Sequence, residues 1–96
     1  MLCRVGPYLS IDLGSTSHTA AVIDTHRREA LAVESATTTR ETTSEADRNK
    51  GRSEWSLDGM VADAISLARK TVDRIRGRPR IDGIGVTGQQ HGCQLL

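Results

Sequence analysis

From Tyr8 to Leu13 apolar positions fall on every second residue, with Leu9, Ile11 and Leu13 in step. A period of two with branched side chains predicts a short strand over 8–13. The same alternation predicts strands over 18–24 and 29–37, the latter kept in phase by Leu31 and Val33. Between those two, Asp24-Thr25-His26-Arg27-Arg28 is polar throughout, as a hairpin tip should be. Residues 38–53 lose all period and are dense in Thr, Ser, Glu, Asp, Arg and Lys, which predicts a solvated loop. The spacing then changes to threes and fours. Leu57, Val61, Ala64, Ala68, Val72 and Ile75 form one apolar stripe, widened by Met60, Ile65 and Leu67, and predict a helix over 56–76. Ser56 is placed to cap its start and Asp58 to favour its first turn. Arg74 and Arg76 suit its C-terminal end, and Gly77 followed by Pro79 stops it. Ile81 to Thr87 is a fourth strand, and a strand after a crossover helix lies parallel to an earlier one. The order is β-β-β-α-β, an α/β fold without internal repeats.

Size and charge narrow the classes. Ninety-six residues suffice for one small domain. A net charge of +1 gives no field that would recruit nucleic acid or an anionic membrane. Tyr8 and Trp55 are the only aromatic residues, so there is almost nothing for bases to stack on. Cys3 and Cys93 lie near opposite ends without a Cys-x-x-Cys spacing, which fits reduced thiols better than a bridge. The first residues lack a signal-peptide core, and no run is long enough to span a bilayer. A cytoplasmic protein is the expectation.

Chemistry concentrates where the first strand ends. Asp12 precedes Leu13-Gly14-Ser15-Thr16-Ser17, and an apolar run resumes at Ala20. Gly14 lets a backbone approach closely, so that following N–H groups can face phosphate oxygens. Ser15, Thr16 and Ser17 add hydroxyls, and Asp12 adds a carboxylate suited to magnesium. An ordinary hairpin of common turn residues accounts for the same stretch without any ligand.

The stretch resembles the first phosphate motif of the actin–hexokinase–chaperone superfamily of ATP-binding proteins. Downstream, Ile84-Gly85-Val86-Thr87-Gly88-Gln89-Gln90-His91-Gly92 resembles the sugar-contacting segment of FGGY-type carbohydrate kinases. The likeness is greatest to the xylulokinase and sedoheptulokinase branch, which has Met where this chain has Gln90. The resemblance implies a partial ribonuclease H-like, actin-like ATPase fold, truncated, with residues 1–96 the first part of an N-terminal lobe. It implies ATP and Mg2+ as cofactors, with Asp12 at the metal and Gly14, Ser15, Thr16 and Ser17 at the phosphates. Gln90 and His91 would contact a ketose or polyol substrate. The catalytic base in such kinases is an Asp farther along than this chain reaches, so no catalytic residue is expected here and the chain alone is expected to be inactive. The remainder of the kinase chain is the expected partner, with a homodimer open to the full-length parent. Two departures stand out: many relatives carry Lys or Arg where this chain has Thr19, and Glu54-Trp55-Ser56-Leu57 replaces a familiar Glu-Gln-Asp-Pro helix entry.

Other patterns have plainer accounts. Gly83-Ile84-Gly85-Val86-Thr87-Gly88 matches a dinucleotide fingerprint, but Ile84 and Val86 belong to a strand and no helix period follows. Arg69, Lys70, Arg74, Arg76, Arg78 and Arg80 read as a solvated helix end more readily than as a nucleic-acid patch. His18, His26 and His91 have no neighbours at chelating spacing. Two rival functions remain: a non-catalytic nucleotide-binding or interaction remnant, and a ribonuclease H-like nucleic-acid enzyme. The second requires carboxylates converging on Asp12, for which Glu34 and Asp82 are weak candidates.

Overall fold

The computed structural model describes residues 6–88. Strands β1 (Tyr8–Leu13), β2 (Ser17–Asp24) and β3 (Glu29–Thr37) are followed by helices α1 (Glu45–Asn49) and α2 (Leu57–Asp73) and by strand β4 (Gly83–Gly88). They form a mixed α/β unit with one four-stranded sheet in the order β3-β2-β1-β4. The two hairpins run antiparallel, and β4 returns parallel to β1. Long-range parallel pairing puts Gly88 beside Leu13, so the end of β4 lies next to the turn that follows β1.

Alternation along the strands sorts the two faces. Leu9 pairs with Val22 and Ile11 with Ala20, and these side chains lie under α2. Leu9, Val22 and Ala68 form the core, with Ile11, Leu31, Val72, Ile75 and Ile81 packed around them. A bulge between Val22 and Ile23 shifts the β2–β3 register. Thr71, fully buried, donates its hydroxyl to the Leu67 carbonyl at 2.7 Å, so its burial leaves no orphaned group.

Strand β4 starts at Gly83 rather than Ile81 and runs one residue past Thr87, and three further expectations change. The stretch 38–53 is not a plain loop, because it contains α1. Ser44 caps that helix by accepting from the Asp47 N–H at 3.1 Å, and Glu45 and Asp47 sit in its first turn. The stretch also folds back on itself: Thr42 N–H donates to the Glu54 carbonyl and Ser56 N–H to the Arg40 carbonyl, both at 2.8 Å. Backbone rungs and a local cap order a segment that has no apolar face.

Secondly, α2 ends at Asp73 rather than at 76. Gly77 takes φ +85° just beyond it, a conformation glycine adopts without a Cβ penalty. Thirdly, the helix is rotated relative to its apolar stripe. Ala64, Leu67, Ala68 and Thr71 are buried, while Leu57, Val61 and Ile65 are 45%, 47% and 49% exposed. The cause is lateral position: α2 packs on β2, β3 and β1 and makes no contact with β4. Ile84 and Val86 of β4 are therefore also exposed.

Candidate functional site

Asp12 sits one residue from the end of β1, on the sheet face away from α2. Register places Thr19 of β2 on one side of it and Thr87 of β4 on the other, with Ser35 of β3 beyond Thr19. Adjacent strands lie about 4.8 Å apart, so these four polar side chains form one row across the sheet. Thr19 and Ser35 hydroxyls are hydrogen-bonded at 3.0 Å. Beside Asp12 this chain thus has a neutral hydroxyl pair. Asp12 is exposed, and its carboxylate has no hydrogen bond or ion pair among the described residues.

The turn after β1 is tight. Gly14 N–H donates to the Ser17 carbonyl at 3.0 Å. A Cβ at Gly14 would stand 2.6 Å from that oxygen, closer than real contacts allow, so the turn requires glycine here. Ser15, Thr16 and Ser17 are exposed at its lip. The bonds closing the turn use the Gly14 N–H and the Thr16 carbonyl and leave the Ser15 N–H out. An exposed carboxylate beside exposed hydroxyls and a close-approach glycine is a donor set that fits a hydrated magnesium ion and phosphate oxygens.

Thr38, the first residue after β3, braces this turn. Its hydroxyl donates to the Gly14 carbonyl at 3.0 Å, and its N–H donates to the Thr16 carbonyl at 2.9 Å. Nothing local in the sequence announces the contact, which joins residues 24 apart.

His18 was also missed, although parity along β2 puts it with Ala20 and Val22 on the covered face. It is 1% exposed, and neither ring nitrogen has a hydrogen-bond partner among the described residues. An orphaned buried polar group costs about 1–3 kcal/mol. Replacing His18 with Leu, of similar size, is therefore expected to stabilise the protein by about 1–3 kcal/mol. Urea denaturation checks this, and a stability loss would show that the ring has a partner.

Beside His18, Arg40 grips Asp63 of α2 through two 2.8 Å hydrogen bonds, tying the start of the polar stretch to the helix. The hydrogen bond from Arg40 holds the Asp63 carboxyl below its usual range. Partial desolvation opposes the shift, and the Arg40 charge and nearby His18 add to it. A depressed carboxyl contributes stability above its unfolded value of about 3.9, and that contribution is lost as pH falls through the lower folded value. In a carbon-detected NMR titration Asp63 should thus titrate below about 3.9, and Arg40→Ala should raise its midpoint. An unchanged midpoint in the variant would assign the shift to another cause.

The remaining candidates are dispersed. Glu34 lies on the helix side, 3.2 Å from Arg74 and 4.0 Å from Lys70, and Asp82 is 3.5 Å from Arg80. Neither joins Asp12, and no group of metal-ligating residues exists among the described residues. The same pairs, with Arg78 on Asp73, balance much of the basic cluster. The glycines of the fingerprint-like run all lie within β4, and Gly83 faces the Tyr8 ring. Two grooves open on the helix side, and neither includes Asp12 or the turn.

The profile for the N-terminal domain of the FGGY family of carbohydrate kinases matches residues 7–96. The chain belongs to the FGGY family. That match takes in the sheet, both helices and the run through Gly92. It makes the chain part of a carbohydrate kinase family, whose chemistry implies ATP and a sugar substrate. None of the curated proteins compared matches the chain. Gln90 and His91 of this FGGY domain lie outside the described residues, as do Cys3 and Cys93. No described helix is long and apolar enough to cross a membrane.

Proposed function

We propose that this FGGY domain is the opening part of the N-terminal lobe of a kinase that transfers the γ-phosphoryl group of ATP to a hydroxyl of a ketose or polyol. The branch it resembles is that of xylulokinase and sedoheptulokinase, on a ribonuclease H-like, actin-like scaffold. One observation carries the reading: an exposed carboxylate at a strand end, unpartnered among the described residues, stands beside a glycine turn, in a chain whose family match spans nearly its whole length.

Phosphoryl transfer is mostly positioning and charge stabilisation. Asp12 would hold magnesium through its water shell, and magnesium would neutralise charge on the phosphates. The Gly14–Ser17 turn would take the phosphate oxygens through amides and hydroxyls. Gln90 and His91 would orient the sugar, since amide and imidazole groups both donate and accept, like a polyol. Gln90 in place of Met would add a hydrogen bond and so alter which sugar fits.

The 96-residue chain alone would not turn over. Half a nucleotide cleft cannot exclude water or align the reacting atoms, and alignment supplies roughly 7–11 kcal/mol.

The test uses the full-length protein with MgATP and a panel of ketoses, polyols and aldoses, reading ADP release. Release above background with a ketose or polyol is expected. Nucleotide binding without sugar-dependent release would favour a non-catalytic remnant. No binding and no release would sink the kinase reading.

A further inference from the structure

We propose that Thr38 is a positioning residue for the nucleotide, fixing the direction of the Ser15 amide in the phosphate turn; this rests on the kinase reading of that turn. The peptide joining Gly14 to Ser15 is planar and trans, so its N–H points opposite to its C=O. The Thr38 hydroxyl donates to the Gly14 carbonyl at 3.0 Å. That bond draws the carbonyl toward the end of β3 and turns the Ser15 N–H the other way, at the exposed lip of the turn.

The constraint acts at the joint that most needs one. Gly14 has no Cβ, and glycine accepts many backbone conformations, so the peptide after it is the easiest in the turn to rotate. Gly14 N–H is held by the Ser17 carbonyl, which fixes only the plane before Gly14. The plane after it is held by Thr38. The bond from Thr38 N–H to the Thr16 carbonyl, at 2.9 Å, keeps the hydroxyl in reach. Thr37 pairs with Ser17 in the sheet, so β3 delivers Thr38 to this place by register.

A hydroxyl that only stiffened the fold would affect every ligand alike or none. A hydroxyl that aims a phosphate-binding amide should matter for ATP and ADP and not for adenosine, which has no phosphate. In the full-length protein Thr38→Val should weaken ADP and ATP binding by roughly 3–10-fold, the effect of one net hydrogen bond. Adenosine affinity and sugar affinity should stay unchanged, and Thr38→Ser, which keeps the hydroxyl, should restore nucleotide binding. Isothermal titration with adenosine, ADP, MgATP and the sugar that drives ADP release reads each of these. Should Thr38→Val fail to fold, the comparison of Thr38→Ala with Thr38→Ser takes its place.

Equal weakening for adenosine and ADP would assign Thr38 a purely structural part and overturn the proposal. Unchanged ADP binding in the variant, with normal ATP binding by the wild type, would overturn it while leaving the kinase reading intact. A wild-type protein that binds no nucleotide would sink both.

Discussion

On the proposed kinase reading, Asp12→Asn in the full-length protein should lower sugar-dependent ADP release by roughly 10²–10³-fold, the scale seen when one preorganised electrostatic contact to a transition state is removed. Asn keeps the size and one oxygen of the side chain but loses its charge. Asp12 is exposed and pairs with nothing among the described residues, so its fold should be indifferent to the change. Thermal unfolding should therefore be within about 0.5 kcal/mol of wild type, as for surface substitutions. Separation of the two effects is the decisive point: activity lost, stability kept. Raising Mg2+ should recover part of the rate, because a neutral amide still offers an oxygen to a hydrated cation. A variant within a few-fold of wild type at low Mg2+ would remove Asp12 from the metal shell.

The strands were the most legible part of this chain. The bounds of β1 and β3 follow from branched residues at period two, ended by polar tips, and β2 begins only one residue earlier than its pattern implies. The existence of α2 was equally plain. Its orientation was not. By period Leu57 and Val61 belong to the apolar stripe and Ile65 widens it, yet which flank is covered depends on where the helix rests across the sheet. Resting over β2 and β3, it buries Leu67 and Thr71 instead. Helix α1 escaped because its determinants are a Ser44 cap and backbone rungs to 54 and 56, with no apolar period to find.

The candidate site divides in the same way. Asp12 and the turn stand out as candidates because acid, glycine and hydroxyls lie close together in sequence. Thr38 does not, because its contact to Gly14 exists only once two hairpins are in register. His18 stood in plain view by parity, but a histidine among apolar neighbours carries no local mark of burial. The ribonuclease-type alternative gains no second carboxylate at Asp12 from Glu34, for a similar reason of placement: Glu34 is opposite Ala20, on the helix side, whereas Asp12 is opposite Thr19, on the other.

The largest stability effect is expected at Leu9. It is 7% exposed, belongs to β1, which lies inside the sheet between β2 and β4, and packs with Val22 and Ala68. Leu9→Ala removes three carbons from a site whose floor is held by strand pairing on both sides, so collapse into the gap is restricted. Such truncations cost about 2–5 kcal/mol. Against a total stability of about 5–15 kcal/mol for a native domain, that is enough to populate unfolded chains at growth temperature. Val61→Ala serves as the control. Period alone places Val61 in the same stripe as Ala64 and Ala68, yet it is 47% exposed. Its cost should be below about 1 kcal/mol, because less than a full side chain leaves water on folding. Parallel urea denaturations of the two variants would read the difference. Equal losses would mean that α2 sits rotated toward β4, with Val61, Ile65, Ile84 and Val86 drawn into the core.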